Sequence, residues 1–232
     1  AIRRCVVGQS GAGFGIGILV VGSARTEISD CVLVDDMTGI AVSSSTGAVV
    51  RDNQVAGQVA SGISIQDLGT KTITELPAAP EGHEIVGNVI ELPPADGPLF
   101  AKAAGIELHG TPAVFLSAAL GSEMPGLAPA VVHDNVVRGG GNGIVLADVT
   151  NAEIFQNDVD GSVRGLLILT GGWPNAFRHN NVTASAVGVV DLQTRQIRTG
   201  RNVADLAYKE PIEPPPDETP LPVEVSWGGE GS

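Results

Sequence analysis

Asp67, Glu107, His109 and Asp148 are the side chains of this sequence whose types and spacing suit acid–base chemistry. Carboxylates and imidazoles move protons near neutral pH when several converge on one bond. Each of the four follows the glycine of a recurring element, seen as Gly62-Ile-Ser-Ile, Gly105-Ile-Glu-Leu and Gly143-Ile-Val-Leu, by two to five residues. If these segments are strands that stack, the four groups project from three successive layers. Asp67 and Asp148 then stand two layers apart, ~9.6 Å along the stacking axis, near the upper end of the carboxylate separation of inverting glycosidases. Glu107 or His109 between them would act as acid or base. The competing reading is structural, because Asp at strand ends bonds to nearby backbone amides and an acidic chain carries carboxylates on every face.

Other chemistry-bearing residues are sparser. His83, His133 and His179 are expected at turns, the last two beside Arg3, Arg51 and Arg178 in one column. No His-x-His, Cys-x-x-Cys or carboxylate cage has metal-ligand spacing, so neither a metal nor a cofactor is expected. The run Gly11-Ala-Gly-Phe-Gly-Ile-Gly17 lacks the spacing of a dinucleotide loop and reads as a corner between the first two layers. Asn181-Val-Thr183 matches a glycosylation acceptor by accident of its repeat position.

The elements that must position these groups form a repeat. The glycine element recurs at Gly17, Gly39, Gly62, Gly105, Gly143, Gly165 and Gly188, at intervals of 22, 23, 43, 38, 22 and 23 residues. The two long intervals contain insertions into a fixed period. A second element, apolar, two polar, Asn, one variable and apolar, places Asn53, Asn88, Asn135, Asn157 and Asn180 at one phase. Cys5 and Cys31 occupy the Asn place in the first two copies. A unit of this length with period-two strands cannot bury its apolar face alone and must stack on its neighbours. Asn suits a corner through its tolerance of left-handed torsion and its amide, which can bond to the Asn one layer above and below.

In this arrangement Cys5 and Cys31 lie one above the other with Cα atoms ~5 Å apart, inside the disulfide range. A bridge and a stack of reduced thiols are both open readings.

With seven strand copies and five Asn in phase over residues 1 to about 203, the sequence resembles the right-handed parallel β-helix of the pectin-lyase-like superfamily, with its asparagine ladder. The resemblance implies an all-β, single-stranded solenoid of about eight coils, with two inserted coils. The glycine strand would be the family's first sheet, and Asn would fill the turn between its second and third sheets. It also implies a groove along the first sheet between lengthened turns, here residues 67–83, 91–104 and 110–129. The family includes lyases, hydrolases, epimerases, adhesins and proteins without catalysis, so the fold does not choose an activity. The Asp clusters, or Arg and Lys beside calcium, of its pectin-cleaving members are not recognisable here. A bacterial, extracellular or cell-surface setting is an expectation from the resemblance alone.

Composition narrows the partners. A formal charge of −13 on 232 residues repels phosphate backbones and anionic lipids, which argues against nucleic acid. No apolar run approaches the ~20 residues of a membrane-spanning helix, so membrane insertion is not expected. Only 3% of residues are aromatic, two of them Trp and one Tyr, and none of these falls on the groove strands. Trp173 lies in a loop, and Phe100 and Phe115 are expected to pack insertions onto the core. Tyr208 to Ser232 is Pro-rich and acidic and cannot add a coil, so it reads as an extended tail against the solenoid or a linker. Starting mid-repeat without Met, the chain is expected to come from a longer protein with other domains. The favoured expectation is a non-catalytic β-helix module, a rigid structural or binding domain contacting glycan or protein. The alternative is a polysaccharide-active lyase or hydrolase.

Overall fold

The structure, a computed structural model, describes residues 1–8, 15–66, 82–95, 103–110, 130–147, 149, 152–170, 175–183, 187–191, 196–198 and 205–207. Short runs of Val and Ile alternating with polar residues form strands, since β-branched side chains pack well on a pleated surface. Each coil gives one strand to each of three sheets. Sheet A holds β1 (Ile2–Arg3), β4 (Glu27–Ser29), β7 (Val49–Arg51), β10 (His83–Val86), β13 (Ala130–His133), β16 (Glu153–Phe155) and β19 (Ala176–Arg178). Sheet B holds β2 (Val6–Gly8), β5 (Val32–Val34), β8 (Gln54–Ala56), β11 (Val89–Glu91), β14 (Val136–Arg138), β17 (Asp158–Asp160) and β20 (Asn181–Thr183). The longest strands form sheet C: β3 (Ile16–Val21), β6 (Thr38–Ser43), β9 (Ser61–Gln66), β12 (Ala104–His109), β15 (Asn142–Ala147), β18 (Arg164–Thr170) and β21 (Val187–Asp191).

Strands of successive coils pair in parallel and in register, as in Ile63↔Ile106↔Ile144. This is a parallel β-helix. At the far end β22 (Gln196–Arg198) pairs antiparallel with β21, and β23 (Asp205–Ala207) pairs antiparallel with β19. Among the described residues no helix is long and apolar enough to cross a membrane. The tail at 208–232 lies outside the described residues, as do residues 11–14 of the glycine run. That run joins β2 to β3 within the first coil, not the first coil to the second as its sequence suggested.

The interior is built from vertical files of one residue per coil. Ile28, Val50, Ile85, Val132, Ile154 and Phe177 line it from sheet A, and Leu33, Val55, Ile90, Val137, Val159 and Val182 from sheet B. Ile40, Ile63, Ile106, Ile144 and Leu166 close it from sheet C, and all of these side chains are buried. Burying each contributes roughly 1.5–3 kcal/mol, so stacking is what makes a single 22-residue unit viable.

The recurring glycine has a steric cause. A Cβ on Gly62 would lie 2.5 Å from Ile90 Cγ2 and 2.7 Å from the Gly105 carbonyl oxygen, and one on Gly143 2.3 Å from Val159 Cγ1 and 2.5 Å from the Gly165 oxygen. Sheet B side chains of the next coil occupy the space that any other residue would need.

At the corner between sheets A and B the Asn residues stack. The amide N–H and Nδ2 of Asn53 both donate to Asn88 Oδ1, at 3.1 and 2.9 Å, and the same pair of bonds links Asn88 to Asn135, Asn135 to Asn157 and Asn157 to Asn180. Each Nδ2 also donates to a backbone carbonyl, as Asn135 does to Ile85 at 2.9 Å. The left-handed torsion expected of Asn falls one residue earlier, on Asp30, Asp52, Asp134, Gln156 and His179, with φ of 53–57°. Asn occupies the corner for its amide alone.

Candidate functional site

Sheet C carries the expected outward files. Ser64, Glu107 and Val145 are in register, as are Gln66, His109 and Ala147. Alternation along β12 points Ile106 and Leu108 into the core and Glu107 and His109 away from it, both partly exposed. His109 Nε2 lies 2.7 Å from Glu107 Oε1, and Ser61 Oγ, from the neighbouring coil, donates to Glu107 Oε2 at 2.6 Å. Beside them Gln66 Nε2 donates to Ser64 Oγ at 2.8 Å. Burial pushes the Glu107 carboxyl up, but the bonds from His109 and Ser61 outweigh it and hold Glu107 below the ordinary glutamate range. Glu107 is therefore ionised at neutral pH. It can accept protons or orient the imidazole, and any proton donated from this pair comes from His109.

Asp67 and Asp148, the outer members of the predicted quartet, lie outside the described residues. So do Trp173, Phe100 and Phe115. Beyond Glu107 the outward face of sheet C turns apolar, where Ala104, Val145 and Leu167 are buried against Leu169 in a small cluster separate from the core. Among the described residues no three His, Cys, Asp or Glu side chains gather as a metal site.

The other histidines are held by structure. His83 starts β10, buried, and its Nδ1 accepts the Ala48 amide at 3.3 Å. His133 ends β13 on the outer face of sheet A, so only His179 is at a turn, and it stands one file away from the arginines. The file of His133 runs Arg51, Val86, His133, Phe155 and Arg178. The rings of His133 and Phe155 stack with centroids 4.8 Å apart, and the Arg178 guanidinium lies 5.9 Å from the Phe155 centroid. Glu84 and Asp134 flank His133, at 3.3 and 2.7 Å, and Glu153 accepts from Arg178 at 2.6 Å. Further along the same sheet Arg3 and Arg51 both bond Glu27 and hold its carboxyl below the usual range.

Ser61 and Phe155 are the residues that the sequence reading did not single out. The repeat could have found both, since Ser61 starts the strand one coil before Glu107's and Phe155 is 22 residues after His133.

No protein-family model, curated protein or solved structure matches the chain. Three sheets of seven parallel strands among the described residues, with a stacked Asn file, define a parallel β-helix.

Proposed function

We propose that this protein is a non-catalytic β-helix module of the pectin-lyase-like kind, serving as a rigid structural or binding domain of a larger surface or exported protein. The observation that carries this reading is the unbroken Asn file. Four successive Asn-to-Asn steps, each with two hydrogen bonds at 2.9–3.1 Å, tie the coils into one shaft. Buried polar networks that are fully satisfied favour rigidity over motion. The outer face of sheet A, with its paired charges at Arg178–Glu153 and Arg51–Glu27, suits contact with a glycan or another protein.

One observation favours a second reading, a polysaccharide-active lyase or hydrolase. The Glu107–His109 pair lies on the outer face of the sheet that corresponds to the groove sheet of the resembled superfamily. Glu107 would orient the ring and His109 would move the proton, with Asp67 and Asp148 as candidate carboxylates on either side.

The deciding experiment screens the full chain for lyase and hydrolase turnover on neutral and acidic glycans, alongside Glu107→Gln and Asp148→Asn. The module reading expects no turnover in any of the three proteins. Turnover lost in both variants would replace it with the enzyme reading.

A further inference from the structure

We propose that Cys5 and Cys31 form a reversible thiol–disulfide site that locks the first coil onto the second. Both thiols are free, and they occupy adjacent steps of the file that Asn fills elsewhere. Cys5 Sγ and Cys31 Sγ lie 2.6 Å apart. The backbones beneath them are already fixed by the parallel ladder, with Val6 opposite Val32 and the Val32 amide donating to the Cys5 carbonyl at 2.9 Å. Bridging them closes the remaining sulfur–sulfur gap to the ~2.05 Å of a disulfide.

The position explains what such a bond would do. Each Asn-to-Asn step of the file carries two hydrogen bonds to an Asn oxygen, and the Cys31-to-Asn53 step carries one, from the Cys31 amide at 3.0 Å. Between Cys5 and Cys31 the backbone bond is a single long one, the Cys5 N–H to Cys31 Sγ at 3.5 Å, and sulfur is a weak acceptor. The first coil also has the most exposed apolar side chains, with Val6 at 80%, Val21 at 61% and Leu19 at 55%. Among the described residues it is the coil with least holding it, and it is where a covalent tie adds most.

Cys5 is partly exposed and Cys31 is buried, which sets the order of events. Cys5 loses its proton to solvent and its thiolate attacks the disulfide of an external oxidant, either a small-molecule or a protein disulfide. The attacked bond breaks, one external thiol leaves, and a mixed disulfide remains on Cys5. Cys31 Sγ, deprotonated in turn, attacks Cys5 Sγ and expels the second external thiol. Two protein thiols are oxidised, one external disulfide is reduced to two thiols, and no other reactant is needed. Burial and the neighbouring Cys31 thiol push the Cys5 pKa up to about 11, so the first step is slow near neutral pH, while the adjacent Cys31 makes the second fast.

The test incubates the full chain with oxidised glutathione, alkylates remaining thiols and maps the peptides, with amide exchange measured on residues 2–7. The expected result is a Cys5–Cys31 link without lasting glutathione adduct. Exchange in the first coil should slow by about tenfold or more and recover on reduction. In Cys31→Ser, Cys5 should instead keep its glutathione and exchange should stay fast. The proposal is overturned by two thiols that stay alkylatable under excess oxidant, by an adduct that persists on Cys5 of the unaltered chain, or by a link that leaves first-coil exchange unchanged.

Discussion

Glu107 contributes to stability through charge. Its folded-state pKa is depressed, so the contribution is present above the ordinary glutamate value and is lost as pH falls through the folded value. Glu107→Gln should cost about 1–2 kcal/mol at neutral pH, and denaturant melts of the two proteins should converge in acid. Asp36 has the opposite sign. It is buried at 4% exposure, its Oδ2 has no hydrogen-bond partner among the described residues, and burial followed by the charge of Asp35 pushes its carboxyl up. The folded state resists its ionisation, so stability falls as pH rises from the unfolded pKa through the folded one. Asp36→Asn should therefore stabilise the protein by about 1–2 kcal/mol at neutral pH and change little in acid, as read by denaturation midpoints. The phase of Glu107, His109, Cys5 and Cys31 was legible because each sits at a fixed offset within the repeat. The repeat places Ser61 one coil before Glu107, but the register sets Ser64 opposite Glu107, so the offset alone did not mark the Ser61 bond.

At the scale of the element, the Asn file and the glycine file test the fold separately. Asn135 Nδ2 faces three acceptors, the Ile85 and His133 carbonyls and Asn157 Oδ1, each at 2.9 Å. Asn135→Ala removes these three bonds and the side-chain oxygen that accepts from the Asn88 N–H and Nδ2, and should cost about 3 kcal/mol. Asn135→Asp is nearly isosteric, yet it turns acceptor against acceptor. It should cost more than Asn135→Ala at neutral pH and recover part of the loss in acid, a ranking that thermal melts can check. Gly143→Ala tests packing instead, and should cost about 2–3 kcal/mol because backbone oxygen limits the relaxation on one side. Both files were readable from 22- and 23-residue spacing, since stacking forces equivalent residues into equivalent places. The torsional role assigned to Asn was misplaced by one residue, because the sequence marks the corner without marking which residue turns it. Asp67 and Asp148 each follow the recurring glycine by five residues in the sequence, but both lie outside the described residues.

The described residues form a column whose inter-coil hydrogen bonds run nearly along its length, while the chain itself circles the axis. Tension applied between the first and last coils thus loads those bonds one coil at a time, like a zipper, instead of shearing many at once. Each regular coil released adds 22 or 23 residues of slack, ~75 Å of contour length. Optical-tweezer traces should show a ladder of small, evenly sized extensions at low force. The two irregular intervals, of 43 and 38 residues, would appear as two steps nearly twice as long.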